Sequence, residues 1–235
     1  MRPSLEYVLP RLRSTVSAAL LRVSIRIHPR NDSAPIGDLS YGGYCVPISL
    51  LNPDSIVYSI GVGEDIRFDL ELIRRVGCTV HAMDPVPRAA EYVRGAAAHE
   101  PRFVFHQIAV WSRDEPLTFH APRQHGYISH SAVNLFNTEA AFQAEGRALR
   151  SLMRSWGHDH IDLLKVSAEG AEFEIVETLL REGPVVPILC LEISLPSLSR
   201  VRRMLDRLDV AGYDVVSANL NRGGWTFTLV RGTSQ

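Results

Sequence analysis

Two closely spaced glycines and a distant acid form a pattern in this sequence that could bind a nucleoside. Gly61 and Gly63 lie in the stretch SIGVGED, directly after a short apolar run, and Asp84 follows Gly63 by 21 residues. Glycines after a strand permit a tight turn and a close approach of backbone to ligand, and an acid at this spacing accepts ribose hydroxyls. The pattern predicts an adenosine-type ligand, although Asp84 could instead cap the helix that follows Pro85.

The residues next to the glycines indicate which adenosine-type ligand to expect. Ile66 stands where a dinucleotide-binding fingerprint has its third glycine. Glu64 and Asp65 would bring negative charge to the place where a pyrophosphate binds. The same acids suit S-adenosylmethionine, which carries an ammonium and a sulfonium group. We therefore expect this methyl donor as the cofactor, with Glu64 and, from the third apolar strand, Ala109 among its binding residues.

A second group of polar residues accompanies the strand in IDLLKVSAEGAE, residues 161–172. Lys165, the only lysine in the chain, and Glu169 are candidate catalytic residues, and Ser167 at the strand end is a candidate for cofactor binding. Lys165 could alternatively form a buried salt bridge, and Glu169 could serve the helix N-terminus that follows. For Glu172 we prefer capping of that helix.

A polar segment over residues 122–138 supplies candidate bases for an acceptor. His130 is the candidate catalytic residue here, with His120 and His125 as further histidines. Glu192, at the end of the fifth strand, is another acid on the same expected edge of the sheet. Because the acids show no metal-ligand spacing, we predict no tightly bound metal.

The elements that must position these residues alternate along the chain. Strand and helix patterns repeat five times from residue 55, which predicts an α/β, doubly wound and mostly parallel sheet covered on both faces. RFVFHQIAVW, residues 102–111, is predicted as one strand, and PLTFHAP as a short extra strand. A helix is expected over residues 138–156. YDVVSANL and WTFTLVRG, joined by NRGG, predict a closing hairpin.

The N-terminal part is expected to differ from the rest. Apolar residues from Leu12 to Val23 recur at helical spacing, interrupted by arginines, which predicts an amphipathic helix rather than a signal peptide. We assign residues 1–50 to an N-terminal helical extension, with YGGYCVP as a loop, and residues 51–235 to the main domain. Any homo-oligomer is expected to form through this helix.

Composition narrows the class of protein. The net charge of −1 gives no electrostatic case for nucleic acid or a membrane surface, and no apolar run is long enough for a membrane span. The three cysteines stand far apart with no CxxC, and Cys78 and Cys190 lie in apolar runs, so buried reduced thiols and a cytoplasmic location are expected.

Three stretches together resemble the FkbM-type S-adenosylmethionine-dependent methyltransferases. These are YGGYCVP, the region from SIVYSIGVGED to HAMDPVPRA, and IDLLKVSAEGAEFEIVETLL, and the likeness covers roughly residues 40–195. The resemblance implies a class I methyltransferase fold, with a seven-stranded sheet whose last strand is antiparallel. It also implies methyl transfer to a hydroxyl oxygen of a sugar or secondary metabolite. By position, Gly61 and Gly63 would cradle the methionine moiety, Asp84 would hold the ribose, and Tyr41 and Gly42 would belong to a loop leading into the cofactor site.

Two positions depart from the family pattern. Ser167 stands where the family commonly has an aspartate, so another residue, such as Glu169 or His130, would have to do what that acid does. Ser59 stands two residues before the first glycine, where many class I methyltransferases have an acid, and it is kept as a cofactor-binding candidate. A non-catalytic module that binds S-adenosylmethionine or a nucleoside as a partner subunit is the alternative, and a nicotinamide oxidoreductase is disfavoured by Glu64 and Ile66.

Overall fold

A computed structural model of the protein describes residues 25–122, 128–135, 137–194, 197–221 and 224–232. Within these residues the strands are β1 (Ser33–Asp38), β2 (Tyr41–Pro47), β3 (Ile56–Ile60), β4 (Thr79–Met83), β5 (Phe103–His106), β6 (Ala109–Trp111), β7 (Glu115–His120), β8 (Ala140–Ala148), β9 (Leu163–Val166), β10 (Ile188–Ile193), β11 (Tyr213–Leu220) and β12 (Trp225–Arg231). The helices are α1 (Arg67–Val76), α2 (Pro87–Ala96), α3 (Leu149–Trp156), α4 (Glu172–Glu182) and α5 (Leu198–Val210). None of these helices is long and apolar enough to cross a membrane. The predicted helix over residues 12–23, and any oligomer contact through it, lie outside the described residues.

The main sheet has seven strands in the order β11-β12-β10-β9-β3-β4-β5. The pairs from β10 to β5 are parallel, whereas β12 runs antiparallel to both β10 and β11. The chain therefore winds outward in two directions from the neighbouring strands β3 and β9. This confirms the doubly wound sheet with a reversed last strand and the closing hairpin.

Helices cover both faces of this sheet because the strand residues alternate between two cores. One core holds Tyr58, Leu164 and Leu189 together with the apolar stripes of α3, α4 and α5. The other holds Val57, Leu163 and the apolar residues of α1 and α2. Strands that are apolar on both faces are typical of parallel sheets between two helical layers.

The region expected to contain the loop YGGYCVP is instead a β-hairpin. β1 and β2 pair antiparallel, and Ile36, Tyr44 and Val46 point into the same core as α1. The Gly37 amide also donates to Glu71 on α1 over 2.8 Å. The loop prediction was wrong because alternate apolar residues of this segment have a surface to cover, so the hairpin shares a core with the main domain.

A second, three-stranded sheet stands beside the main one and corrects the single strand predicted over residues 102–111. The Ile108 amide donates to the His106 carbonyl over 2.9 Å, which makes a tight three-residue turn. β5 therefore ends in the main sheet, and β6 begins a separate sheet of order β6-β8-β7. The extra strand predicted for PLTFHAP is confirmed as β7.

The helix predicted over residues 138–156 was wrong in its first half. Residues 140–148, AAFQAEGRA, form β8, which pairs parallel with β6 and antiparallel with β7. Only Leu149–Trp156 is helical, ending at Gly157 in a left-handed conformation. Alanine, glutamine and glutamate favour helix locally, but pairing with two neighbouring strands outweighs these small propensities.

A cluster of rings packs where α3 ends against the sheet, with Tyr58 fully buried and three histidines and Trp156 half-buried. The Tyr58 hydroxyl lies 2.9 Å from His158 Nδ1, and His81 Nδ1 lies 3.3 Å from His106 Nε2. The indole of Trp156 stacks on His106 with ring centroids 4.0 Å apart. Burial, and then the neighbouring His158 and His106, lower the pKa of His81 from 6.5 to about 4.

The histidine cluster predicts an acid-sensitive contribution to stability. Because the pKa of His81 is lower in the folded chain, the unfolded chain binds more protons between pH 6.5 and pH 4, and stability is lost as the pH falls through that window. Relative to His81→Phe, the wild type should lose about 1 kcal/mol of unfolding free energy between pH 7 and pH 5, since the ring is only half-buried. Urea denaturation at each pH measures this. His99→Phe, at an exposed histidine, is the control, and parallel curves for wild type and His81→Phe would contradict the assignment.

Candidate functional site

A cavity of about 550 Å³ opens at the carboxyl ends of β3, β4, β9 and β10. This is the edge at which doubly wound sheets bind ligands, next to the point where the strand order reverses, and the volume suits a small ligand. The sequence-predicted site residues that line it are Tyr41, Gly42, Gly61, Gly63, Glu64, Asp84, Ala109, His130, Lys165, Ser167 and Glu169. The structure therefore brings together residues that lie far apart in sequence.

The turn after β3 requires glycine because the neighbouring strand comes too close for a side chain. A Cβ added at Gly61 would lie 1.7 Å from the Ser167 carbonyl oxygen, and Gly61 has a φ of 73°. Gly63 follows with a φ of 53°, and a Cβ there would lie 3.0 Å from Ile128 Cδ1. Both glycines line the cavity, so a ligand there can approach their backbone.

Asp84 holds this turn in place. Its Oδ2 accepts hydrogen bonds from the amides of Val62 (3.1 Å) and Gly63 (2.9 Å), and its Oδ1 accepts from the Val86 amide (2.9 Å). Burial raises the pKa of the Asp84 carboxyl, and these amides oppose the rise. The Val86 amide precedes the first residue of α2, Pro87, so this bond does not cap the helix and gives no support to the capping alternative. The sequence did not reveal the hydrogen bonds from the amides of Val62 and Gly63 to Asp84. Binding of a ribose by the Asp84 carboxylate stays a prediction.

Lys165 lies under the glycine turn rather than in open space. It is 4% exposed, and its Nζ donates to the Gly61 carbonyl (3.3 Å) and more weakly to the Ser59 hydroxyl (3.4 Å). Burial raises the pKa of the nearby Asp69 carboxyl, and the charge of Lys165 opposes this. Ser59 is fully buried and does not line the cavity, so it touches the site only through Lys165, and its prediction as a direct cofactor contact was wrong.

The two glutamates after β9 have different environments. Glu172 is the first residue of α4 and accepts the amides of Ala168 (2.8 Å) and Gly170 (2.9 Å). Both amides precede the helix, so Glu172 holds the turn after β9 and, contrary to expectation, does not cap α4, and burial raises its pKa to about 7. Glu169 lines the cavity and has a φ of 45°, a left-handed conformation that non-glycine residues rarely adopt. Strained residues of this kind concentrate at functional sites.

The pKa of the Glu169 carboxyl is set by burial and by its neighbours. Burial raises the pKa of its carboxyl, the charge of Glu192 adds to the rise, and the hydroxyls of Ser129 and Ser194 oppose it. The Ser131 hydroxyl donates to the Glu169 carbonyl over 2.8 Å, which fixes the strained backbone. The backbone of Glu169 is therefore held in place at the wall of the cavity.

His130 belongs to the segment that covers the cavity, residues 128–132. Its Nδ1 lies 2.8 Å from the Ile128 carbonyl oxygen, and a carbonyl only accepts, so Nδ1 carries the proton and Nε2 keeps its lone pair in the neutral ring. The ring meets Phe142 of β8 edge-on with centroids 5.2 Å apart. His120 instead contacts the Thr138 carbonyl outside the cavity, and His125 lies outside the described residues.

The mouth of the cavity is formed by the start of β2. Gly42 has a φ of 69°, and the Tyr41 side chain lines the opening while about half exposed. Burial raises the pKa of the Tyr41 hydroxyl, and the charges of Glu192, Asp65 and Glu169 add to this. Tyr41 and these three acids therefore line the same part of the cavity closely enough for their charges to act on the Tyr41 hydroxyl.

The acids next to the glycines are not free charges. The guanidinium of Arg88 pairs with Glu64 through two contacts of 2.7 and 2.8 Å, and Arg67 pairs with Asp65 at 2.6 Å. The expectation of uncompensated negative charge at this point was wrong, because arginines elsewhere in the chain neutralise both acids. Any preference of the cavity for a cationic ligand must therefore come from its other acids, Glu169 and Glu192.

Several residues of the cavity wall were not among the predicted site residues. Ser129 lies beside His130, and Met83, Ile108 and Phe119 form apolar wall. Met83 directly precedes Asp84, so its position follows from the strand end. Phe119 could be placed only by knowing that β7 pairs with β8, and that pairing was hidden by the helix predicted there.

The residues present fit S-adenosylmethionine. A bare glycine turn lies next to a strand-end acid, Asp84, at one end, and the apolar side chains of Met83 and Ile108 offer a surface for a base. Glu169 and Glu192 bring carboxylates to the other end, where a cationic group would be favoured.

The strand order, the reversed β12 and the cavity at the switch point define a class I methyltransferase fold. The chain belongs to the FkbM methyltransferase family, because the family's Methyltransferase FkbM domain matches residues 55–215. S-adenosylmethionine is the cofactor expected of it.

Two curated relatives and one solved structure show the extent of the similarity. Probable methyltransferase-like protein 24 of Homo sapiens is 28% identical over 132 residues, which cover 56% of this chain and 30% of that protein. The protein of the same name from Rattus norvegicus is 29% identical over 127 residues, covering 54% and 28%. The chain thus spans less than a third of the length of these relatives. The fibrillarin pre-rRNA processing protein of Methanococcus jannaschii is similar with a TM-score of 0.48 and 10% identity, over 81% of this chain and 71% of that one.

The close approach at Gly61 predicts a large cost for adding one methyl group. Gly61→Ala should lower the unfolding free energy by about 3 kcal/mol or more, because it combines backbone strain with overlap against the Ser167 carbonyl. Gly157→Ala is the matched control, since Gly157 has the same φ of 73° but no atom within 4 Å of an added Cβ. It should cost only about 1–2 kcal/mol. Chemical denaturation compares the two, and equal losses would show that the contact with Ser167 is not what requires glycine.

Proposed function

We propose that the protein is an S-adenosylmethionine-dependent O-methyltransferase that acts on a hydroxyl group of a small molecule. The observation that carries this is the division of the cavity into two chemically different ends. Asp84 and apolar side chains lie at the β4 end, and Glu169, His130 and Ser129 lie together at the β9 end. A cofactor bound along the strand ends would meet its acceptor near the second group.

The donor side of the site consists of residues that bind and orient. Gly61 and Gly63 would cradle the methionine moiety, Asp84 would hold the ribose, and Tyr41 and Gly42 border the opening. When bound, S-adenosylmethionine supplies the methyl group. Lys165 contributes by donating to the Gly61 carbonyl, so we assign it to support of the turn rather than to the acceptor.

The acceptor side contains a base, which a neutral hydroxyl acceptor needs. We assign proton removal to Glu169, because it lines the cavity on a strained backbone and burial raises the pKa of its carboxyl. His130 presents an unprotonated Nε2 from the covering segment and would orient the acceptor hydroxyl. The segment 128–132 also excludes water from this end of the cavity.

The charge of the site supports a small molecule over nucleic acid as acceptor. The chain has a net charge of −1, whereas binding of a phosphate backbone depends on clustered basic residues. Acids line the acceptor end of the cavity, and the arginines next to the glycine turn are paired with Glu64 and Asp65.

The three cysteines are free thiols, in keeping with a cytoplasmic location.

One observation favours a second function, a non-catalytic module that binds the same cofactor. Ser167 provides a hydroxyl where the family pattern has a carboxylate. Such a module would keep the glycine turn and Asp84 and bind S-adenosylmethionine as the partner subunit of an enzyme.

Binding and transfer experiments separate these functions. Calorimetry with S-adenosylmethionine, S-adenosylhomocysteine and NAD should show binding of the first two only. Ile66 stands where a dinucleotide-binding turn has its third glycine, so NAD should not bind. Labelled methyl transfer to a panel of hydroxylated small molecules should give product, whereas transfer to RNA should not. Tighter binding of NAD would overturn the proposal, and product formed only on RNA would overturn the acceptor class.

The assignment of the base predicts different effects for two neighbouring changes. Glu169→Gln should lower kcat by about 100-fold or more, because it removes the proton acceptor while keeping the shape of the side chain. His130→Gln should raise KM for the acceptor and lower kcat by about tenfold at most. Steady-state kinetics on the best acceptor, with S-adenosylhomocysteine affinity as the control for an intact donor site, tests both. A larger loss of kcat in His130→Gln would give the role of base to His130.

A further inference from the structure

Glu192 lies beside Ser167 because of the register between two strands. β9 and β10 are parallel, with Cys190 opposite Lys165 and Leu191 opposite Val166. One step further along the strands brings Glu192 next to Ser167, on the same face as Lys165. The Ser167 hydroxyl donates to Glu192 Oε2 over 3.1 Å.

Glu192 is an almost buried carboxylate without a counter-charge in the described part of the chain. It is 9% exposed and lines the cavity. Among the described residues no Lys, Arg or His nitrogen lies within 4 Å of its oxygens, and the bond from Ser167 is its one hydrogen bond. Burying a charge without a partner is costly. A cationic group of a ligand that paired with the Glu192 carboxylate would offset this cost.

The other acids of the cavity are satisfied within the protein. Asp84 accepts three backbone amides, and Glu64 and Asp65 pair with arginines. By contrast, the negative charge of Glu192 disfavours ionisation of its neighbours and so raises the pKa of Tyr41, Tyr44 and Glu169. The β10 end of the cavity therefore has an acid that forms no ion pair within 4 Å among the described residues.

The position of Glu192 along the sheet edge indicates which part of the cofactor it meets. Asp84 follows β4, and β3 and β9 stand between it and β10. Three strand spacings separate the two acids by about 14 Å. A nucleoside held at the Asp84 end therefore points its amino-acid end, which carries an ammonium group at neutral pH, toward Glu192.

We propose that Glu192, oriented by Ser167, binds the ammonium group of S-adenosylmethionine. This rests on the proposed function of the cavity and adds a donor-binding residue to it. It also gives a physical reason for serine at position 167. An aspartate there would place a second carboxylate about 3 Å from that of Glu192, whereas serine donates a hydrogen bond to it.

Calorimetry on wild type and Glu192→Gln tests the contact directly. S-adenosylhomocysteine should bind Glu192→Gln about 10- to 100-fold more weakly, because a charge-assisted hydrogen bond is replaced by a neutral one. An analogue of S-adenosylhomocysteine that lacks the amino group should bind wild type and variant within about twofold of each other. Glu182→Gln, the same change on the exposed end of α4, is the control, and thermal unfolding checks that every variant is folded.

A second pair of variants moves the carboxylate to the neighbouring strand. Ser167→Asp alone should weaken binding of S-adenosylhomocysteine, because two carboxylates then crowd one place. Ser167→Asp combined with Glu192→Gln should recover most of the affinity, since a single carboxylate again faces the ammonium. Additive losses in the double variant would count against the proposal.

The outcomes distinguish this proposal from the function on which it rests. If wild type binds S-adenosylhomocysteine and transfers methyl groups, but Glu192→Gln binds equally well, the role of Glu192 is refuted and the function stands. An equal loss of affinity for the analogue that lacks the amino group also refutes it. If wild type binds neither S-adenosylmethionine nor S-adenosylhomocysteine, both proposals fall.

Discussion

The contact between the turn at Gly61 and the carbonyl of Ser167 is the constraint around which the site is built. β3 and β9 are the strands from which the chain winds outward in its two directions, and a Cβ at Gly61 would fall 1.7 Å from that carbonyl oxygen. The turn is tied on its other side by Asp84, which accepts the amides of Val62 and Gly63, and from beneath by Lys165, which donates to the Gly61 carbonyl. Three strands are thus joined at one point, directly below the cavity.

The buried lysine follows from the same constraint. A carbonyl turned inward at a tight glycine turn needs a donor, and Lys165 supplies one from the adjacent strand. The charge of Lys165 also acts on the carboxyls of Asp69 and Asp84. The sequence marked Lys165 as unusual because it stands in an apolar strand, but the residue types alone could not say whether it met a substrate, an acid or the backbone. That choice depends on which strand lies next to β9.

How much of the structure could be predicted depended on whether the information was local. The order of strands and helices from residue 55 and the reversed last strand were recovered, because periodicity and strand-end glycines are properties of short stretches. The hairpin of β1 and β2 and the strand β8 were missed, since their pairing partners outweigh local propensity. The pairing of Glu64 with Arg88 joins residues 24 positions apart and was invisible for the same reason. Sequence placed Glu192 on the right edge of the sheet, but only strand register brings it to Ser167.

The small sheet of β6, β7 and β8 has a consequence for how such a protein can change. It has its own buried side chains, Ala109, Leu117 and Phe119, and the segment between β7 and β8 carries His130 over the cavity. Under the proposed function, the main sheet would hold the nucleoside end of the cofactor and this small sheet would face the acceptor. Because the small sheet has a core of its own, substitutions there would change the acceptor end of the cavity without disturbing the packing of the main sheet.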